Sequence, residues 1–378
     1  MAVYKIFPTQ DATLYSLYPT MNTGLDAILE VSNKLGLEGT PDIARYLIQF
    51  DNAEIQDIID NKISGSLYSV YLRNFIAEAQ GINQNTSLEI RPIAQEWNNG
   101  TGYTLSSPIV TDGASWLFST FSGSNPWSLN GSNSGGTYTG SYNSSFSDQG
   151  GGNWYTSSTY LTTESFALRT TKDINVEVSS TVNAWYSSSL PNYGFIIKLS
   201  SSLEFVNNED IQPTFKYYSV DTNTIYPPCL EFRWNDYSTV LTGSATGSIV
   251  STSNIKMSLS ENPGVFYPES VNRFYINVSP LYPTRVYQTS SLFTNLNYLP
   301  TSSYYAIKDL ATNEYVINFD ENYTQISSDA NGNYFDVYMS GLEPERYYKI
   351  LIKTIINGST IISDDHYYFK VINGWVKM

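Results

Sequence analysis

Three tryptophans, Trp116, Trp127 and Trp154, stand with Tyr138 in a stretch from Asn98 to Thr163 that is low in charge and rich in Gly, Ser, Asn and Tyr. An aromatic ring laid on a sugar face, with Asn and Asp bonding the hydroxyls, is the ordinary chemistry of glycan recognition. The same residue types serve protein interfaces, and both readings stay open for these four side chains. Asp11, Asp26 and Asp51 are the candidate ligands for a Ca2+ ion, which takes carboxylate and carbonyl oxygens from the loops of β-sandwiches. Catalysis has less to work with. A single Cys229 and a single His366 exclude an intrachain disulfide, a CxxC metal knuckle and multi-His zinc. They also leave little for a base-activated nucleophile. A glycosidase needs only two carboxylates. Glu96, Asp112, Asp148, Asp364 and Asp365 are present, but no spacing singles out a pair. No GxxxxGK[ST] or GxGxxG precedes a helix, so no nucleotide or other organic cofactor is called for. The expectation is a protein that is not an enzyme.

The 378 residues suit two or three domains with a sizeable core. Twenty Lys and Arg against 35 Asp and Glu give a formal charge of −15. Nucleic acid and anionic lipid both require a basic footprint, so neither is an expected partner. Charged residues make up 15% and aromatics 15%, with 32 Tyr. This predicts β-rich structure whose surface is covered by Tyr, Ser, Thr and Asn rather than by salt bridges. No apolar window is long enough to span a membrane as a helix. The opening MAVYKIFPTQ lacks the basic and apolar regions of a secretory signal, so synthesis in a cytoplasm without export is expected.

Those side chains must be positioned by strands. Apolar residues alternate with period two in 12–18, 26–31, 43–50, 66–79 and 87–94, and again in 165–178, 193–199, 211–220 and 227–234. One helix is predicted, DNAEIQDIIDNKI at 51–63, capped by Asp51 or Asn52 with Ile55, Ile58 and Ile59 on one face. Cys229, after two prolines, reads as a small buried hydrophobe, and His366 as an exposed edge residue. Residues 98–163 read as an ordered excursion over the sheet, with GGTYTGSYNSSFSDQGGG its most mobile portion. A Ser/Thr/Gly stretch at 239–254 reads as a linker. It separates an amino-terminal domain, 1–238, from a carboxy-terminal one, 255–378, where turn signals such as ENPG and DANGN recur about every ten residues. Six of the seven tryptophans precede the linker, which supports two units of different construction.

The first 235 residues resemble the DNRLRE family, β-sandwich modules found beside carbohydrate-active and cell-surface proteins. The resemblance is carried by four blocks in order: DATLYSLYPTMNTGLDAILEV at 11–31, ARYLIQFD at 44–51, the Trp/Gly-rich QEWNNGTGY, DGASWLF, NPW and GGTY between 95 and 138, and DINVEVSSTVNAWYSSSLPNYGFIIKL at 173–199. Within them Arg45, Phe50 and Asp51 are expected to fix a strand end, and Trp97 and Trp185 to be core. The last block implies a strand, a Trp-containing turn and a further strand. The 334–371 segment is similar to fibronectin type III and related immunoglobulin-like domains. There Leu342-Glu343-Pro344, followed by Tyr347 and Tyr348, matches the pattern in which a tyrosine locks the corner between strands.

The fold expected is therefore all-β: a jelly-roll-like antiparallel β-sandwich followed by a smaller Ig/fibronectin-III-like sandwich. Composition and resemblance together point to a non-enzymatic structural protein of a tailed-bacteriophage virion, in the tail, baseplate or neck. It would be made in the host cytoplasm and released by lysis. Its expected partners are other virion proteins, further copies of itself in a homo-oligomer, and a cell-surface glycan. The rival reading is a carbohydrate-binding module protein of a polysaccharide-active system.

Overall fold

The computed structural model describes residues 2–35, 41–65, 67–82, 85–120, 125–127, 150–206, 212–239, 247–260, 263–282 and 296–372. The protein is all-β, and most of its strand pairs are antiparallel, with short parallel pairs such as Ser248–Ile249 on Asn297–Tyr298 and Val265–Phe266 on Lys370–Val371. It divides into two compact units. The larger comprises Ile6–Asn61 and Ser69–Glu231; the smaller comprises Met1–Lys5, Lys62–Tyr68 and Phe232–Met378.

The larger unit is built on an eight-stranded sheet, with Ile174–Glu177 paired antiparallel to Tyr71–Asn74 in a second sheet. The strands of the eight-stranded sheet lie in the order Thr162–Phe166, Thr86–Pro92, Phe195–Leu199, Pro41–Phe50, Ile28–Leu35, Thr214–Tyr218 and Ile76–Gln80, with Pro8–Tyr15 added against Pro41–Phe50. Pro41–Phe50 is the hub. It faces Pro8–Tyr15 through Ala44–Phe50, Ile28–Leu35 through Pro41–Ala44, and Phe195–Ile197 through Tyr46–Ile48. Its central run from Ile43 to Ile48 is buried throughout, including Arg45, so both faces of the strand are covered. A charged side chain inside an otherwise apolar run requires partners on the covering layer, because an unpaired buried charge is costly.

The predicted helix forms as Asn52–Asp57 and continues as a π-turn over Ile58–Lys62; the Asp51 carboxylate accepts the Ala53 amide at 3.0 Å. A second helix, Ser179–Tyr186, occupies the place of the implied Trp-containing turn. Its Ser, Thr, Val, Asn and Trp have indifferent helix propensity, so tertiary packing decides. The helix buries Thr181, Val182, Ala184 and Trp185, and the Trp185 ring lies 4.6 Å from Phe195.

The smaller unit is a two-sheet sandwich. One sheet orders Ile255–Ser260, Val271–Pro280, Gly332–Tyr338 and Ser327–Asp329. The other orders Val265–Phe266, Tyr368–Val371, Tyr347–Ile356, Ser303–Asp309 and Tyr315–Ile317, with Ser359–Ser363 beside Tyr347–Ile356. Between them Phe274, Ile276 and Phe335 meet Tyr305, Ile350 and Phe369 in one apolar core, and Tyr305 stacks on Phe335 at 4.3 Å. The tyrosine corner is formed: buried Tyr348 donates its hydroxyl to the Glu343 carbonyl at 2.9 Å. The DANGN turn closes as the Asp329 carboxylate accepts the amides of Asn331 and Gly332 at 2.8 and 3.1 Å. Within the 239–254 stretch, Ser248–Ile249 pairs in parallel with Asn297–Tyr298 and Val250 enters the core. Tyrosine does more than coat the surface: Tyr46, Tyr217, Tyr298, Tyr305 and Tyr348 are among the largest fully buried side chains.

Candidate functional site

The excursion after the Thr86–Pro92 strand has few ladder bonds, so side chains must hold its backbone. Asn22 is the main brace. Its amide donates to the Asn99 and Ala114 carbonyls at 2.7 and 2.9 Å, and its Oδ1 accepts from Gly102 at 2.8 Å. Asn99 in turn donates to the Gly24 carbonyl at 2.6 Å and accepts the Asp11 amide at 3.1 Å. Asp112, one of the candidate carboxylates, accepts the amide and hydroxyl of Thr101 at 2.9 and 2.6 Å and so closes a turn.

The tryptophans lie beneath this layer. Trp116, Trp127 and Trp154 are 2%, 1% and 5% exposed and join Leu14, Leu47, Ile93 and Ile196 in one core cluster. They offer no open face to a sugar or a partner, because the excursion uses them to seal itself onto the sheet. The Trp127 indole donates to the Ser115 carbonyl at 2.9 Å. Trp116 and Trp154 flank Arg45, whose guanidinium carbon lies 5.0 and 5.2 Å from their ring centroids. Tyr138, Asp148 and residues 128–149 generally lie outside the described residues.

Arg45 is the centre of this layer. Its Nε donates to Glu204 Oε1 at 2.7 Å and its Nη1 to the Gly151 carbonyl at 2.7 Å. Lys198 Nζ adds a second cation 3.2 Å from Glu204 Oε2 and 3.5 Å from Glu89. Gly151 has φ +75°, and a Cβ there would stand 2.5 Å from Arg45 Nη1 and 2.9 Å from the Trp116 ring. Glycine is therefore required. The strand-end role expected for Arg45 becomes a clamp between sheet and excursion. The legible signal was an Arg inside ARYLIQF; Glu204, 159 residues away, carried none.

Above the sealed layer lies a groove of about 540 Å3 lined by Gln95, Glu96, Trp97, Asn98, Ser119, Thr120, Asn125 and Pro126. Two pieces of structure shape it. Phe118–Thr120 pairs with Asn125–Pro126, and the Asn98 amide donates to the Ser119 carbonyl at 3.1 Å. Gln95 ties them together, donating to Ser119 Oγ and the Pro126 carbonyl, each at 3.0 Å. Trp97 is floor rather than wall: it is 4% exposed and its indole donates to the Tyr193 carbonyl at 2.8 Å. Glu96, Asn98 and Asn125 are exposed at the rim. Among the described residues the lining thus presents carboxamides, hydroxyls and a single carboxylate, a set that bonds polyols. QEWNNG is visible in the sequence, but its meeting with Ser119, Thr120 and Asn125 is decided by the fold.

The three candidate metal ligands do not form one set. Asp51 is occupied as the helix cap. Asp26 accepts the Thr104 amide at 3.1 Å and also its hydroxyl. Asp11 is 1% exposed, with Oδ2 accepting the Val220 amide at 2.7 Å and Oδ1 lacking a hydrogen-bond partner. Burial, reinforced by nearby Asp221 and Asp26 and opposed by the Val220 amide, pushes its carboxyl up to about 8. Among the described residues no group of three or more His, Cys, Asp or Glu is arranged to hold a metal ion. Cys229 is buried and in no disulfide. His366 is 77% exposed, with Nδ1 3.7 Å from Asp364.

No family model matches the chain, and no curated protein matches it. Among solved structures, a DUF4785 family protein from Legionella pneumophila aligns with 98% of this chain and 64% of its own length, at 8% identity and a TM-score of 0.16. A likeness at that level carries no argument about fold or function.

Proposed function

We propose that the chain is a non-enzymatic structural subunit of a tailed-bacteriophage particle that contacts a glycan of the host surface through the Gln95–Asn98/Ser119–Asn125 groove. The observation that carries the glycan part is the lining: carboxamides and hydroxyls, with Gln95 bonded to Ser119 Oγ and the Pro126 carbonyl, and Glu96 the one carboxylate among the described residues. Polar groups fixed in advance on a β-scaffold recognise neutral hydroxyls without large ordering costs. The structural part rests on the acidic all-β composition and on the DNRLRE-like blocks. The rival, a carbohydrate-binding module of a polysaccharide-active system, would use the same groove.

A glycan array probed with the full chain tests the reading. Binding to a neutral glycan, weakened at least tenfold by Asn98→Ala with Thr120→Ala and unaccompanied by hydrolysis, supports it. Retained binding in that double variant moves the ligand elsewhere. Turnover that Glu96→Gln abolishes would make the protein a hydrolase instead.

A further inference from the structure

The formal charge is divided unevenly. The larger unit carries 22 acidic and 8 basic side chains, a net of −14, whereas the smaller carries 13 and 12, a net of −1. Four of those twelve bases, Lys308, Lys349, Lys353 and Lys370, share the outer face of the six-stranded sheet. Their alternating neighbours Ile307, Tyr348, Ile350, Ile352 and Phe369 point into the core. Register sets Lys308 directly across from Lys349, with Tyr368 on the far side of Lys349. It also sets Lys353 between Tyr304 and Ile362, and Lys370 between Tyr347 and Val265.

Like charges placed directly opposite on neighbouring strands are destabilising, so the fold itself gains nothing from the Lys308–Lys349 pair. Such a local conflict marks a surface kept for another purpose. The lysines are braced rather than loose. Lys308 lies 4.2 Å from the Tyr315 centroid and Lys353 4.9 Å from that of Tyr304; Lys349 pairs with Asp364 at 3.1 Å and Lys370 with Glu345. Between them Tyr347, Tyr368 and Ile362 are 55%, 42% and 56% exposed. Exposed aromatics among held cations make up a protein-docking surface.

We propose that this Lys/Tyr face docks on the acidic larger unit of a second copy of the chain. Charge complementarity selects the occupant: the excess negative charge of this protein resides almost wholly in that unit, and Lys308 and Lys353, which lie against aromatic rings rather than carboxylates, reside outside it. The two contacting surfaces differ, so the association is either reciprocal across a two-fold axis or heterologous, closing a ring or extending a filament. The groove plays no part in it.

Light scattering during size exclusion of the full chain, at low salt and in 1 M NaCl, is the test, because the screening length falls to about 3 Å at 1 M. The wild type is expected to run as a multiple of 42.4 kDa at low salt and as the monomer at high salt. Lys308→Glu with Lys353→Glu should be monomeric at both, as should the milder Lys308→Gln with Lys353→Gln, each with wild-type melting. Lys256→Glu, on the exposed face of the other sheet, should retain the oligomer. A wild type that is monomeric at every salt, or an oligomer that survives both double-lysine variants, overturns the proposal. A monomer retained by an anionic polymer through the same lysines also overturns it, assigning the face to a polyanion.

Discussion

The larger unit is held by polar clamps and the smaller by apolar interdigitation. In the larger unit Arg45, Glu204 and Lys198 lie buried together under two indoles, Asn22 and Asn99 brace the excursion, and Asp11 is sealed in with an unpartnered oxygen. In the smaller unit aromatic rings from two sheets fill the space between them, and its polar bonds are smaller-scale: turns and the tyrosine corner, the buried Ser303–Thr354 hydroxyl pair at 2.8 Å, and Arg346 on Asp309 at 2.6 Å. The difference follows from the backbone. Two strand-rich sheets satisfy their own amides through ladders, leaving only apolar faces to join. A long segment with few ladder bonds must be satisfied by side chains, and burying those side chains requires charges and amides to be matched across the layer.

The largest loss comes from breaking the clamp. Arg45→Met should destabilise the larger unit by about 3–5 kcal/mol, because it strands Glu204 beside Lys198 with one partner gone. Chemical denaturation should show that unit melting first while the sandwich transition stays in place. An unchanged midpoint would mean that the indoles and the sheet, not the ion pair, hold the excursion.

Asp11 gives the larger unit a pH signature of its own. Folding raises its pKa from an ordinary 3.8 to about 8, chiefly through burial. Between roughly pH 4 and pH 8 the folded protein therefore holds more protons than the unfolded chain, and stability falls as pH rises through that window. Asp11→Asn keeps the oxygen that accepts the Val220 amide and removes the charge. It should stabilise the larger unit by roughly 2–4 kcal/mol at pH 8 and by little at pH 4. Thermal melts across pH would refute this if wild type and variant ran parallel.

Gly151→Ala should cost roughly 1–3 kcal/mol, the scale of forcing a side chain into a left-handed backbone, with Trp116 fluorescence reporting the displaced ring. The smallest effect belongs to the sandwich: Tyr348→Phe removes one hydroxyl from the corner and should cost about 1 kcal/mol, leaving its aromatic packing intact. A loss as large as that of Arg45→Met would erase the distinction between the units.

Strand positions were legible because alternation records which face is buried. The 43–50 and 87–94 runs became Pro41–Phe50 and Thr86–Pro92 with little shift at their ends. The tyrosine corner and the DANGN turn were legible because their contacts span only a few residues. Ser179–Tyr186 was not, since its helicity comes from where Trp185 and Val182 must be buried. The tryptophans misled for a related reason. Gly and Asn around a Trp are as consistent with a ring sealed under a tight backbone as with one offered to a ligand, and composition cannot separate the two.

The sequence by itself determined the all-β class, the strand alternation, the strong acidity and the scarcity of catalytic side chains, since these depend on composition and short-range period. Only the tertiary structure decided that Arg45 meets Glu204, that QEWNNG meets Ser119 and Asn125 in a groove, that Asp11 is sealed from water, and that four lysines share one sheet face. Each of those joins residues far apart in the chain, and their meeting is set by the register of strands, which no local pattern records.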